Sequence, residues 1–383
     1  MARTRIRKKR GTYFFDYTLL FLIIFLSCFG LVMIYSASYY TAQLNLGDGA
    51  YYVKKQATIL LGGFVAMYVV SRFDYHWYVK LAPLAWALAL ILMILVNFTP
   101  FGIERNGKKR WLGYGSTTLF QPTEFVKIAL IVVTAVLIVR LVRYLDRWQS
   151  IVIFCAVTLP LGGLVLMNNL SSGIIVCGIV VAMYFVASRE KKRFLIAAIV
   201  VIALGVAAVL MADKLVDWNI LEEYQGSRIL VWQNPEEYPT SGGYQVLQGL
   251  YAIGSGGFFG KGLGNSVQKL GFVPEAQNDM IFSIICEELG LFGAICVILL
   301  FLFMLYRFMV IANNAPDLLG SMLVVGVMAQ IALQVFMNIA VVTNFMPNTG
   351  VSLPFISYGG TSLLFLMVEM GMVLGVSRRI RFE

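Results

Sequence analysis

Leu289–Tyr306 reads LGLFGAICVILLFLFMLY, eighteen residues without a charge or a proline. An α-helix rises about 1.5 Å per residue, so about 20 such residues cross the ~30 Å hydrocarbon layer of a bilayer. Extended upstream, the run gives a membrane span at 280–306. Comparable runs occur at 17–39, 57–72, 80–97, 121–139, 149–167, 171–188, 194–211, 318–342 and 358–377. The expectation is an all-α integral membrane protein with ten transmembrane helices, forming one polytopic domain over residues 1–383. Composition agrees: 59% of the residues are hydrophobic and 13% charged, against about 45–50% and about 25% in soluble domains. The mean hydropathy is +0.80. The apolar run at 17–39 is too long for a signal-peptide core and is followed at once by further spans, so it reads as a permanent helix.

Charge placement gives the sidedness. With the N-terminus inside, the short segments 1–16, 72–80, 140–150, 188–193, 307–317 and 378–383 carry 19 of the 30 Lys and Arg residues. Basic residues concentrate in short cytoplasmic loops, which places both termini, 1–16 and 378–383, in the cytoplasm. The cluster Arg3, Arg5, Arg7, Lys8, Lys9, Arg10 is then topology charge at a membrane surface. The net charge of +10 therefore does not indicate nucleic acid. One connection is long. Residues 212–279, between spans seven and eight, form a large extracytoplasmic loop too apolar for disorder, expected to fold onto or into the outer leaflet.

His76 is the single histidine, which excludes any mechanism needing two. The five cysteines lie in apolar runs with no Cys-x-x-Cys and read as small core residues. Candidate chemistry sits where ionisable groups meet the membrane. Glu124 and Lys127, three apart, share a helix face at the start of the fourth span; they either neutralise each other or open a cavity to an anionic substrate. Glu369 is a lone carboxylate in the last span, with Lys127 as one candidate partner. Asp279 ends the outer loop, where it can cap the eighth span or act as a general base; Glu287 and Glu288 follow two turns on. Gly254–Gly264 suggests a phosphate loop but lacks the required Gly and Ser/Thr, those places holding Ser255 and Gly262. Lys261 within it, and Arg110 in a basic group that defies the sidedness rule, remain contacts for an anionic headgroup. Carboxylates at a membrane mouth also suit a divalent cation, Mg²⁺ or Mn²⁺.

The motifs Lys109-Arg110-Trp111-Leu112-Gly113, Gln121-Pro122-Thr123-Glu124 with Lys127, and Gly243-Tyr244-Gln245 occur in this order. Gly260-Lys261-Gly262-Leu263-Gly264-Asn265-Ser266, Pro274-Glu275-Ala276-Gln277-Asn278-Asp279, Glu287-Glu288-Leu289-Gly290 and Asn348–Gly360, which includes Ser357, follow. Together they resemble the SEDS family (shape, elongation, division and sporulation) over nearly the whole chain. The string after Gly262 is more similar to the division and sporulation branches (FtsW, SpoVE) than to the elongation branch (RodA), and Met167–Gly173 departs from the elongation pattern.

The resemblance implies a peptidoglycan glycosyltransferase in the bacterial cell membrane. Its substrate would be lipid II, an undecaprenyl-diphosphate-linked disaccharide-peptide, and its partners a class B penicillin-binding protein and other divisome proteins. It implies that Asp279 is the essential aspartate, with Glu124, Lys127, Arg110, Lys261, Glu369 and Ser357 as substrate-binding candidates. The rival reading is a lipid II flippase, which buried charges would serve equally well.

Overall fold

A computed structural model describes residues 12–105, 108–114, 117–210, 223–238 and 242–382. The Arg3–Arg10 cluster and the first part of the long loop, 211–222, lie outside the described residues. All ten apolar stretches are helical: α1 (Tyr17–Leu46), α2 (Tyr51–Arg72), α3 (Trp77–Phe98), α4 (Pro122–Leu141), α5 (Trp148–Asn168), α6 (Leu170–Ala187) and α7 (Lys191–Leu210) precede the long loop. The loop itself contributes α8 (Glu223–Gln233) and α9 (Gly243–Gly256). After it come α10 (Ile281–Asn313), α11 (Leu318–Val342) and α12 (Thr361–Ser377). Seven of these helices, α1, α2, α3, α5, α6, α10 and α11, are long and apolar enough to cross a membrane by length and composition.

The fold is mostly helical rather than all-α. The connection between α3 and α4 forms an antiparallel sheet of β2 (Gly102–Arg105), β3 (Lys108–Tyr114) and β4 (Thr117–Phe120) in that order, and β1 (Thr12–Tyr13) pairs with β5 (Arg381–Phe382). A connection too short and polar for a further span satisfies its backbone groups between adjacent strands. The sheet seats closely on α3, since a Cβ on Gly102 would fall 2.0 Å from the carbonyl oxygen of Val96.

The core forms where small residues let helices approach. A Cβ on Gly371 of α12 would lie 2.7 Å from the Met67 carbonyl oxygen of α2. Around the outside, Phe21, Leu61, Leu84, Ile91 and Phe292 stand more than half exposed, the arrangement expected of side chains that face lipid. Buried Asp16 opens α1 by accepting from the backbone N–H of Leu19, and its other oxygen takes the Arg307 guanidinium at 2.6 Å. This pair ties the start of α1 to the far end of α10, roughly 40 Å along that helix from its first residue.

His76 lies at this same end. Its ring bridges Asp74 at 2.7 Å and Asp317 at 2.8 Å, and Asp317 also accepts from the Tyr75 hydroxyl. The histidine thus fastens the α2–α3 turn to the start of α11.

Candidate active site

Asp279 stands two residues before α10. The helix N-cap is Met280, with no side-chain capping bond, so the Asp279 carboxylate is not used as a cap. Its placement comes from the backbone instead. The Asn338 side-chain amide donates to the Asp279 carbonyl at 2.8 Å and to the Val351 carbonyl at 2.7 Å, tying the end of the long loop to α11 and the 348–357 segment. Just upstream, Glu275 turns the chain with φ of 49°, and its carboxylate accepts from the Asn278 amide.

The half-buried carboxyl of Asp279 is pushed up to about 6 by burial, helped by the negative charge of Glu275; Arg228 and nearby backbone amides oppose the shift. A carboxylate poised near neutral pH is suited to general-base work. Gln245 of α9 approaches it, its side-chain N–H₂ lying 3.5 Å from Oδ1. That amide is oriented by Asn348, which donates to the Gln245 oxygen at 3.1 Å, while the Asn348 carbonyl accepts from Arg228 of α8 at 2.9 Å. Trp232 secures the same helix by donating to the Asn344 carbonyl at 2.9 Å. Helices α8 and α9 of the large loop therefore wall the carboxylate on one side.

Gly350 lies directly against Asp279: a Cβ there would come to 3.6 Å from Oδ2. From Gly350 the chain runs inward to a narrow polar crevice bordered by Glu124, Gln330, Gln334, Ser352, Ser357 and Ser362. Lys127 is buried and pairs with Glu124 at 2.8 Å, as their three-residue spacing predicts. Glu369, fully buried, accepts from Gln330 at 2.7 Å. Gln330 rather than Lys127 is thus its hydrogen-bonding partner. Ser357 accepts from the Leu353 N–H at 2.8 Å, and its own carbonyl accepts from Gln56. Its hydroxyl shapes the turn that borders the crevice.

The remaining candidates are placed differently. Arg110 of β3 is half-buried and donates to the Asn168 carbonyl at the end of α5. Lys261 turns inward, its ammonium 2.6 Å from Glu287 and 2.9 Å from the Ser255 hydroxyl. Glu287 and Glu288 are both fully buried in protein. No role for Gln245, Asn348, Asn338 or Arg228 is legible in the sequence. The first two lie inside Gly243-Tyr244-Gln245 and Asn348–Gly360, but nothing in their spacing shows that they meet Asp279 across 34 and 69 residues of chain.

The family model for FtsW/RodA/SpoVE cell cycle proteins matches residues 17–381. The chain belongs to this family. It is 36% identical to stage V sporulation protein E of Bacillus subtilis, covering 96% of this chain and 98% of that one. It is also 36% identical to a probable peptidoglycan glycosyltransferase FtsW of Trichlorobacter lovleyi, covering 96% and 94%. Among solved structures, a peptidoglycan synthase complex described as coordinating polymerization and crosslinking matches with a TM-score of 0.76, 27% identity, and coverage of 95% of this chain and 98% of that one. The rod shape determining protein RodA of Thermus thermophilus shares the fold, with a TM-score of 0.68 at 23% identity over 96% of this chain and 98% of that one.

Proposed function

We propose that this chain is a peptidoglycan glycosyltransferase that polymerises lipid II into glycan strands, with Asp279 as the general base. The observation that carries the reading is the Asp279 carboxyl, raised to about 6, half-buried behind α8 and α9 and not engaged as a helix cap. Asp279 takes the proton from the acceptor sugar's 4-hydroxyl. The freed oxygen forms a bond to the donor's anomeric carbon as the bond from that carbon to the diphosphate breaks, and undecaprenyl diphosphate departs. The leaving group needs no proton, but fixed cations stabilise its charge. Lys127, paired with the crevice-lining Glu124, and Arg110 on the sheet are assigned to it. Glu124 keeps Lys127 oriented, and Ser357 and Glu369 shape the polar wall. Holding both reactants in the membrane lowers the cost of aligning two sugars. Among the described residues no three His, Cys, Asp or Glu side chains converge.

The proposed topology has ten spans, both termini cytoplasmic and 212–279 outside, in the bacterial cell membrane. The similarity to division and sporulation proteins supports action at the septum or in spore formation. Its partner would be a class B penicillin-binding protein among the divisome proteins, cross-linking the strands made here. Purified full-length protein, incubated with lipid II alone and with that partner, should yield glycan strands resolvable on a gel. Lipid II translocation in vesicles with no polymer under either condition would instead support a flippase.

A further inference from the structure

Helix α10 is broken. Gly290 has φ 68° and ψ −169°, a conformation outside the helical region, nine residues after the helix begins. A break of this kind leaves carbonyls before it and N–H groups after it without helical partners, which is costly in an apolar setting. The glycine-rich segment after α9 fills those needs. The N–H groups of Lys261 and Gly262 donate to the carbonyls of Glu287 and Glu288 at 3.0 and 2.9 Å. In return, the N–H groups of Leu291 and Phe292 donate to the carbonyls of Gly257 and Phe258, both at 3.0 Å. The backbones are close enough to demand glycine, since a Cβ on Gly260 would sit 2.2 Å from the Glu288 oxygen.

The side chains of the same two glutamates close the joint. Glu287 binds the Lys261 ammonium, the Ser266 hydroxyl and the backbone N–H groups of Val267 and Gln268. Glu288 binds the Lys269 ammonium at 2.8 Å and the Ser36 hydroxyl of α1 at 2.6 Å. Lys269 donates to Ser36 as well, at 2.9 Å. Both carboxylates are inaccessible to solvent, so neither is available to a substrate.

We infer that Glu287 and Glu288 are positioning residues for Asp279: with Lys261 and Lys269 they lock the glycine-rich segment into the break of α10. The short half-helix Ile281–Leu289 is packed in the core and begins two residues beyond Asp279, and the lock fixes its angle to the rest of α10 at Gly290. Lys261 is then the counter-ion of the lock rather than a ligand of the leaving diphosphate. The inference deepens the reading of Asp279 as base and rests on it.

Lys261 is one-third exposed but Glu287 is fully buried, so removing the ammonium strands the buried carboxylate's charge, whereas removing both charges leaves a neutral and less damaging site. Lys261→Met should therefore lower polymerisation at least tenfold and reduce recovery of folded protein from membranes. Lys261→Met with Glu287→Gln should return both to within about threefold of wild type, with KM for lipid II unchanged, and Lys261→Arg should remain active. If Lys261 ligates the diphosphate, the double variant will be as inactive as the single one and its KM will rise. A double variant no better folded than Lys261→Met would equally overturn the proposal. Asp279→Asn retaining activity would remove the base assignment alone, because rescue of folding in the lock variants is read from recovery and unfolding temperature.

Discussion

Replacing Asp279 by Asn should separate activity from stability in opposite directions. Moving a carboxyl from 3.8 to about 6 corresponds to about 3 kcal/mol of disfavoured ionisation, and partial exposure to water reduces the realised cost to about 1–3 kcal/mol. The sign follows from proton binding. Between 3.8 and about 6 the folded state holds a proton that the unfolded chain has lost, so stability falls as pH rises through that window, and the full cost applies above it. Asparagine carries no such cost, fits the same space and can still accept from Gln245. No cap is lost, because the N-cap of α10 is Met280. Asp279→Asn should therefore unfold later than wild type in detergent at about pH 7.5, and the gain should shrink as pH falls from about 6 toward about 4. Its polymerisation rate should drop by about 10²–10⁴-fold, the usual loss for a general base. Thermal unfolding at several pH values, alongside polymerisation of lipid II, measures both. A variant less stable than wild type at about pH 7.5, a gain independent of pH, or polymerisation near the wild-type rate would refute the reasoning.

Wild-type polymerisation should fall in acid with a midpoint near 6, since only the ionised Asp279 accepts a proton, and Glu275→Gln should move that midpoint lower by removing the adjacent negative charge. A pH–rate profile with an unmoved midpoint would count against the Glu275 contribution. Glu124→Gln and Lys127→Met should each abolish polymerisation, and, unlike the Lys261 pair, the double variant should stay inactive, because Glu124 borders the narrow polar crevice. Rescue in that double variant would reduce the pair to self-neutralisation. In a background without native cysteines, a cysteine at exposed Glu236 should react with an impermeant thiol reagent in intact cells and one at exposed Arg378 should not. The reverse pattern would invert the proposed topology.

Hydropathy alone located the helices, since a bilayer admits few ways to satisfy the backbone of a long apolar run. The stretch expected at 318–342 is α11 with those bounds, and the others differ at their ends by up to seven residues. The Glu124–Lys127 contact was equally legible, because neighbours on one helix face are fixed by local geometry. Asp279 could be singled out from its position at the end of the loop, and the family from motifs in order. The sheet at 102–120 was missed because its strands are short and their partners are set by pairing.

Only the tertiary structure decided how the marked groups are used. Sequence left Asp279 divided between cap and base; the register of α10 removed the cap. It offered Lys261 to a phosphate, and the fold turned that ammonium onto Glu287. It offered Glu369 Lys127 as one candidate partner, and α11 supplied Gln330 as its hydrogen-bonding partner instead. The physical reason is common to all three. A side chain's charge and hydrogen-bonding capacity are written in the sequence, but burial and the identity of a partner on another helix arise only when distant segments pack together, and those two quantities decide whether a charge is structural or chemical.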